Sequence, residues 1–207
     1  MSDNDVTELV FILDRSGSMD ALVEDTIGGY NSLLKKQKGL PGKAMVTTVL
    51  FDDSYEVLCN GEDLNKVEPL TSSVYYARGC TALLDAVGRT LLDVDAKYKG
   101  MADFMRPSKT MVVIITDGME NSSREYTYDA VKRMISARRG IGWEFVFLGA
   151  NIDAESVAES IGIDRNRAAT YSANGRAVRR SYDVVENMAA HVRCDESISD
   201  DWKDSIE

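Results

Sequence analysis

The stretch Thr7–Asp14, with the sequence TELVFILD, decides the fold of this chain. It is short, apolar from its third residue onward, and ends in an acid. Such a continuous apolar run predicts a strand that is buried on both faces, as in a parallel sheet covered by helices. The stretch Thr110–Thr116, TMVVIIT, has the same character and is likewise followed by an acid, Asp117. The two stretches therefore predict two buried strands of one sheet, each with a carboxylate at its carboxyl end.

Strands and helices alternate along the rest of the chain. The spacing of apolar residues predicts the strands Thr7–Asp14, Met45–Phe51, Tyr55–Cys59, Thr110–Thr116, Glu144–Leu148 and Ala168–Tyr171. It predicts the helices Asp20–Lys38, Thr81–Tyr98, Tyr128–Arg139, Ala154–Ile161 and Gly175–Val192. The link between the second and third strands is too short for a crossover, so these two strands pair antiparallel.

This alternation predicts an α/β fold with a doubly wound, mostly parallel six-stranded sheet and helices on both faces, as in Rossmann-like folds. The expected strand order is 3-2-1-4-5-6, with one antiparallel edge strand. In that order the first and fourth strands are neighbours, and their chains leave the sheet toward opposite faces. A crevice opens above such a point, and ligands of doubly wound sheets bind there.

Polar side chains from three separate loops are expected to meet in this crevice. Asp14 and Asp117 end the two neighbouring strands. Ser16 and Ser18 follow Asp14 across a tight glycine turn, so that both hydroxyls can point back toward the acid. Thr81 opens the helix that leads into the fourth strand, at the same end of the sheet. The sequence therefore predicts a cluster of two carboxylates and three hydroxyls.

Carboxylates and hydroxyls are hard oxygen donors, which suit Mg²⁺, Mn²⁺ or Ca²⁺ and not zinc or copper. Mg²⁺ prefers six oxygen ligands in an octahedron and gives up its water reluctantly. A site of this kind is therefore expected to keep water at some positions and to leave one position open. The expected cofactor is Mg²⁺, with Mn²⁺ and Ca²⁺ as alternatives.

The pattern Asp14-x-Ser16-x-Ser18, followed by Thr81 and Asp117, resembles the metal-ion-dependent adhesion site (MIDAS) of von Willebrand factor type A (vWA) domains. The surrounding segments FILDRSGSM, YARGCTALLDAVG and IITDGMEN are similar to intracellular bacterial and phage-type members of that family. The resemblance covers the chain from about residue 7 to residue 148, and the last third supports it only by its pattern of strands and helices. All five motif positions are present, so the resemblance implies a complete MIDAS.

The resemblance also implies a role for each of the five residues. Ser16, Ser18 and Thr81 are expected to be metal ligands, and Asp14 and Asp117 to be ligands or to act through bound water. The open position is expected to take an Asp or Glu carboxylate from a partner protein. Intracellular relatives imply assemblies with ATPases or stress-resistance proteins. The resemblance therefore implies a metal-dependent protein-binding module.

Each part of the pattern has a simpler explanation when it is taken alone. Serine and aspartate often cap helices, Thr81 suits an N-cap, and Asp117 followed by glycine suits a turn. Five further residues lie on the same loops and form either a contact surface around the metal or ordinary loop structure: Tyr75, Tyr76, Arg78, Glu120 and Asn121.

A Mg²⁺-dependent hydrolase or phosphatase with Asp14 as its nucleophile is the alternative function. An acid at the end of a first strand is where such enzymes place their nucleophile. Haloacid-dehalogenase-like enzymes, however, need a second acid two residues further on, where this chain has Ser16. The sequence also lacks a G-x-x-x-x-G-K-[ST] loop, a G-x-G-x-x-G turn after the first strand and a G-x-S-x-G elbow. We therefore predict a protein that is not an enzyme.

The charge, length and N-terminal sequence of the chain limit the expected partners, domain organisation and cellular location of the protein. The chain has 207 residues and a formal net charge of -10, which argues against nucleic acid and against anionic membranes as partners. The length fits a single vWA domain over residues 1–194 with an acidic C-terminal tail over residues 195–207. The start, MSDNDVTE, does not have the pattern of a signal peptide, and no apolar run reaches the ~20 residues that span a bilayer. The expected location is the cytoplasm.

Three smaller expectations concern single residues. The cysteines have no disulfide or zinc spacing and are expected to pack as small buried side chains: Cys59, Cys80 and Cys194. Gly28 and Gly29 are costly inside a helix, and a close approach of the first helix to the sheet would explain them. Trp202 and Ile206 leave open whether the tail frays or docks on the domain.

Overall fold

The computed structural model describes residues 6–196 and 198–206 of the chain. The first five residues, on which the prediction of a cytoplasmic location partly rests, lie outside the described residues. The strands are β1 (Val6–Asp14), β2 (Lys43–Phe51), β3 (Tyr55–Asp63), β4 (Lys109–Thr116), β5 (Glu144–Ala150) and β6 (Ala168–Tyr171). The helices are α1 (Val23–Lys38), α2 (Leu83–Gly100), α3 (Tyr128–Arg139), α4 (Ala154–Ser160) and α5 (Gly175–Arg193). Short 3₁₀ helices lie at Gly17–Leu22, Asp103–Met105, Arg165–Arg167 and Asp200–Ser205.

The strands form one six-stranded sheet in the order β3-β2-β1-β4-β5-β6, which confirms the predicted fold. β1 pairs in parallel with both β2 and β4, and the β4–β5 and β5–β6 pairs are also parallel. β2 and β3 pair antiparallel, as their short link requires. β3 extends to Asp63, beyond its predicted end at Cys59, because its exposed and polar second half lacks the apolar pattern used to predict it.

β1 lies at the centre of the sheet and contributes side chains to two separate cores. Leu9, Phe11 and Leu13 pack with residues of α1 and α5, whereas Val10 and Ile12 pack with residues of α2, α3 and α4. Successive side chains of a strand point to opposite faces, so a sheet covered on both faces requires apolar residues at every position. Each such side chain contributes roughly 1.5–3 kcal/mol when it is fully buried. The apolar stretch of β1 therefore lies in the sheet that forms the middle layer of the domain, between the two layers of helices.

The first helix differs from its prediction in two ways. Gly17–Leu22 is a 3₁₀ helix and α1 begins only after it, so Asp20, the predicted first residue of the helix, lies inside the 3₁₀ helix. Gly29 lets α1 approach α5 and not the sheet, since a Cβ built there would lie 2.3 Å from Cδ2 of Tyr182. A Cβ at Gly28 would meet nothing within 4 Å. Packing therefore explains the second of the two glycines and not the first.

The end of the chain packs against the domain. Trp202 and Ile206 are buried, and Nε1 of Trp202 donates a hydrogen bond of 2.8 Å to the carbonyl oxygen of Asn166. Nζ of Lys203 donates a hydrogen bond of 2.6 Å to Oε1 of Glu155 on α4. The described part of the tail thus docks on α4 and on the segment that leads into β6.

Two surface properties of the described residues bear on the predictions. Cys80 and Cys194 are exposed and Cys59 is half-buried, so the expectation that the cysteines are buried is wrong. Cys80 lies in the loop before α2, and Cys194 follows the last residue of α5. A separate finding concerns membranes. Over residues 6–196 and 198–206, no helix is both long and apolar enough to cross a membrane.

Candidate metal site

The carboxyl ends of β1 and β4 lie side by side, and Asp14 is in direct contact with β4. The parallel register pairs Leu13 with Ile115, which brings the ends of both strands together. Oγ1 of Thr116 donates a hydrogen bond of 2.5 Å to Oδ2 of Asp14. Asp14 is completely buried. The topology predicted from the sequence therefore brings the first acid to the crevice above β1 and β4.

A continuous series of hydrogen bonds joins Asp14 to Asp117. The backbone amide of Ser16 donates to Oδ1 of Asp14 at 2.7 Å. The hydroxyl oxygens of Ser16 and Ser18 lie 3.2 Å apart. The hydroxyl of Ser18 donates to Oδ1 of Asp117 at 2.6 Å. Four of the five predicted site residues are thereby connected across two loops.

Thr81 lies on the third loop, directly beside Asp117. A Cβ built at Gly118 would lie 2.6 Å from Oγ1 of Thr81, so the loop after β4 passes over the threonine hydroxyl. The amide of Thr81 donates to Oδ1 of Asn121 at 3.0 Å, and the amide of Asn121 donates to the carbonyl of Thr81 at 3.0 Å. The residue before α2 is Ala82, which makes no side-chain cap. The explanation of Thr81 as an N-cap is therefore wrong.

The structure thus brings all five predicted residues to one edge of the sheet, and their role as metal ligands stays a prediction. Asp14, Ser16 and Thr81 are buried, Asp117 is half-buried and Ser18 is exposed. The cluster is therefore open to solvent on the side of Ser18 and Asp117, from which an ion can enter.

The charge of the cluster is uncompensated. Burial raises the pKa of Asp14 to about 6, and the nearby carboxylate of Asp117 acts in the same direction, while hydrogen bonds from Thr116 and Ser16 lower it only in part. Burial also raises the pKa of Asp117 above its ordinary value, against the lowering effect of the Ser18 hydroxyl. The donors to both carboxylates are hydroxyls and backbone amides, and no basic side chain is among them. A buried acid and a half-buried acid, with no basic hydrogen-bond partner among the described residues, form the environment that a cation would stabilise.

The donor set fits a hard divalent cation. Within the described residues, no three side chains of His, Cys, Asp or Glu group together as a possible metal site. The five-residue cluster contains only two acids, so any metal held there would depend on hydroxyl oxygens and water. Such an all-oxygen set is suited to Mg²⁺ or Ca²⁺.

Most of the residues suggested as a contact surface have structural roles instead. Tyr75 is completely buried, and its hydroxyl donates to the carbonyl oxygen of Asp14. The carboxylate of Glu120 accepts the amide of Leu84 at 2.9 Å and holds the loop after β4 against α2. Asn121 fixes Thr81. Three of the five suggested residues are exposed: Tyr76, Arg78 and Asn121.

Two residues outside the predicted set also shape the cluster. Thr116 holds one oxygen of Asp14 and was visible as the polar last residue of a buried strand. Asp52 is completely buried in the β2–β3 turn, where it accepts hydrogen bonds from Arg15 and Arg78. An Asp-Asp-Ser turn carries no signal for such a contact. Nor does the geometry favour Asp14 as a nucleophile, because both of its oxygens are hydrogen-bonded and its side chain is inaccessible.

A six-stranded, doubly wound sheet with one antiparallel edge strand is the architecture of vWA-type domains, and the chain has a vWA-like fold. No protein-family model and no curated protein sequence matches it. Among solved structures, it is similar to proximal thread matrix protein 1 from the mussel byssus with a zinc-occupied MIDAS motif, at a TM-score of 0.63 and 16% identity over 89% of this chain and 46% of that one.

Two further solved structures share this fold. A von Willebrand factor type A protein from Catenulispora acidiphila aligns at a TM-score of 0.58 and 14% identity, over 90% of this chain and 42% of that one. The pilus adhesin SpaC from Lactobacillus rhamnosus GG aligns at a TM-score of 0.64 and 15% identity, over 89% of this chain and 30% of that one. The chain spans less than half the length of each of these three proteins. At these identities the likeness establishes the fold alone.

Proposed function

We propose that this chain is a metal-ion-dependent protein-binding module, not an enzyme, and that its metal forms a bridge to a carboxylate of the partner. The observation that carries the proposal is the convergence of Asp14, Ser16, Ser18, Thr81 and Asp117, from three loops, around two acids that have no basic partner. A buried pair of carboxylates is unfavourable unless something positive neutralises it. The general rule that doubly wound sheets bind ligands above the carboxyl ends of strands such as β1 and β4 supports this location.

The proposed metal is Mg²⁺, with Mn²⁺ and Ca²⁺ as alternatives. The mussel protein carries zinc at its MIDAS motif, but the all-oxygen donor set of this chain is better suited to the harder ions. The three hydroxyls are neutral and leave much of the charge of a bound ion in place. An incoming Asp or Glu side chain is then attracted to the ion in a partly desolvated setting, where Coulomb forces are strong.

The proposed partner is a protein that presents an acidic side chain at the exposed edge of the cluster. Met119, two residues after Asp117, is 68% exposed, and Tyr76 on the loop before α2 is 43% exposed. Both side chains belong to loops that carry residues of the cluster, and they offer apolar surface to a partner. Participation in an ATPase or stress-resistance assembly, a cytoplasmic location and a bacterial or phage-type origin are proposed on the resemblance of the motifs alone.

The metal site is tested by isothermal titration calorimetry of the purified protein with MgCl₂. The wild type is expected to bind one equivalent, and Thr81→Ala is expected to lose that binding while it keeps its circular dichroism spectrum. Thr71→Ala is the matched control, because Thr71 is an exposed residue of the same loop whose hydroxyl hydrogen-bonds the hydroxyl of Ser73. Equal binding by both variants would contradict the proposed ligand set.

The bridge is tested by affinity capture with the same three proteins in MgCl₂ and in EDTA. A partner that is retained in MgCl₂, released by EDTA and absent with Thr81→Ala supports the proposal. An unchanged partner list in EDTA would contradict it. Turnover of generic phosphate or ester substrates that is abolished by Asp14→Ala would instead favour the hydrolase.

A further inference from the structure

A third acid, Asp52, lies at the same edge of the sheet without taking part in the five-residue cluster. It occupies the turn between β2 and β3 and is completely buried. Its Oδ2 accepts hydrogen bonds from Nε of Arg15 at 2.9 Å and from Nε of Arg78 at 2.7 Å. Its Oδ1 accepts the amide of Ser54 at 2.6 Å. One carboxylate thus joins two arginines that are 63 positions apart in the sequence.

Both arginines belong to loops that carry proposed metal ligands. Arg15 stands between Asp14 and Ser16, and its side chain is only 1% exposed because it turns away from the cluster toward Asp52. Arg78 stands three residues before Thr81. We call the three residues Asp52, Arg15 and Arg78 the arginine brace.

Backbone hydrogen bonds follow the same path. The amide of Arg78 donates to the carbonyl of Arg15 at 2.8 Å, and the amide of Gly17 donates to the carbonyl of Gly79 at 3.1 Å. The amide of Ala82 donates to the carbonyl of Asp52 at 2.9 Å. The β1 loop, the β2–β3 turn and the loop before α2 are therefore linked as one unit.

The arginine brace is charged and is covered by an aromatic ring. The guanidinium carbons of Arg15 and Arg78 lie 5.9 Å and 5.3 Å from the centroid of the Tyr76 ring. Burial raises the pKa of Asp52, but hydrogen bonds, the strongest of them from Arg78, outweigh burial and keep the pKa below its ordinary value. Asp52 is therefore ionised, and its charge is already neutralised by the arginines.

We propose that Asp52 is a positioning residue, which fixes through Arg15 and Arg78 the spacing between the loop of Ser16 and Ser18 and the loop of Thr81. This inference rests on the proposed function, since the spacing matters only if the two loops share an ion. Groups that orient metal ligands from outside typically change metal affinity by about 10–100-fold when they are removed.

Electrostatics alone predicts the opposite sign for the arginines. Loss of a positive charge near a cation site should tighten the binding of Mg²⁺, because repulsion is removed. Loss of a positioning contact should weaken it. The effect of replacing Arg78 therefore separates positioning from simple charge, and Arg78 suits the test because its side chain is 42% exposed and outside the core.

The experiment is a calorimetric titration of Arg78→Met, Arg78→Lys and wild type with MgCl₂, each as the 207-residue chain, with circular dichroism to establish that each is folded. Arg78→Met is expected to bind Mg²⁺ about tenfold more weakly or worse, despite its lost positive charge. Arg78→Lys is expected to bind more tightly than Arg78→Met, because it can still contact Asp52. Arg124→Met, at an exposed arginine on the loop after β4, is the matched control and should bind like the wild type or more tightly.

Asp52→Asn is the second variant, with Asp129→Asn, at an exposed position of α3, as its charge-matched control. Only the change at Asp52 is expected to lower the affinity about tenfold or more. Wild-type affinity in both Arg78→Met and Asp52→Asn, or tighter binding by Arg78→Met, would overturn the arginine brace and leave the proposed function intact. A wild-type protein that does not bind Mg²⁺ would overturn both.

Discussion

Strand β1 carries a completely buried carboxylate near each end, and the two carboxylates are stabilised in different ways. Glu8, near the start, forms an ion pair with Lys97 of α2 and accepts a hydrogen bond of 2.5 Å from the hydroxyl of Thr47. Asp14, at the other end, accepts hydrogen bonds from Thr116 and from a backbone amide, and no basic side chain is among its hydrogen-bond partners. One acid has its cation built into the protein, whereas the other has donors but no positive charge.

This difference indicates which end of the strand is structural and which is suited to a ligand. Lys97 is 11% exposed, and burial lowers its pKa below the ordinary value although Glu8 acts to raise it. The pair at the start of β1 is thus a closed, internally neutral contact. At the end of β1, burial raises the pKa of Asp14, because no positive charge stabilises its ionised form. An external cation would neutralise the carboxylate of Asp14 as Lys97 neutralises the carboxylate of Glu8.

The largest expected effect on stability comes from removal of the ammonium group of Lys97. Lys97→Met leaves the carboxylate of Glu8 buried without a partner, which should lower the free energy of unfolding by about 3–5 kcal/mol in urea titrations. MgCl₂ should not reverse the loss beyond its effect on the wild type. Lys99→Met, two positions further on and exposed, is the control and should change stability by less than about 0.5 kcal/mol.

The double variant Glu8→Gln/Lys97→Met tests whether the cost is that of an unpaired charge. It should recover a substantial part of the stability that Lys97→Met loses, because no buried charge is left without a partner. A loss as large as in the single variant would mean that Lys97 acts through its aliphatic packing and not through Glu8.

The second effect is the response to the external cation. At a free Mg²⁺ concentration of 100 times the dissociation constant, the wild type should gain about 2.7 kcal/mol over its stability in EDTA. Asp14→Asn should show no such gain. In EDTA, Asp14→Asn should be more stable than the wild type by at most roughly 3 kcal/mol, the cost that corresponds to a pKa of about 6 against 3.8. A variant that is less stable than the wild type in EDTA would show that the Asp14 carboxylate is not strained by its burial.

The third effect is a pH dependence that arises from Asp14 at the end of β1. Because the folded-state pKa of Asp14 is raised, the metal-free native state binds more protons than the unfolded state between about pH 4 and pH 6, so this acid makes stability fall as pH rises through that window. A metal ligand must be ionised, so Mg²⁺ affinity should be about tenfold weaker at pH 5 than at pH 7. Calorimetry at both values checks this, and an affinity that is equal at both would argue against Asp14 as part of the site.

The same two carboxylates show what sequence alone can and cannot predict. The order of the sheet followed from the apolar runs and the short β2–β3 link, and the Asp14 cluster followed from adjacent strands and a local motif. Glu8 gave no signal, because its partner Lys97 lies 89 positions away, in the last turn of α2. Asp52 was missed for the same reason. Contacts between side chains on distant elements depend on how the helices pack, and no local spacing encodes them.

The smallest effect compares the hydroxyl donors at the two ends. Thr47→Val removes the hydroxyl beside Glu8, and Thr116→Val removes the one beside Asp14. Each threonine is buried and each substitution keeps the shape of the side chain, so both should cost on the order of 1 kcal/mol in EDTA. Only Thr116→Val should also weaken the binding of Mg²⁺, since only that hydroxyl orients a proposed metal-site acid. Equal Mg²⁺ affinities for the two variants would remove the distinction between a closed ion pair at one end of β1 and an open cation site at the other.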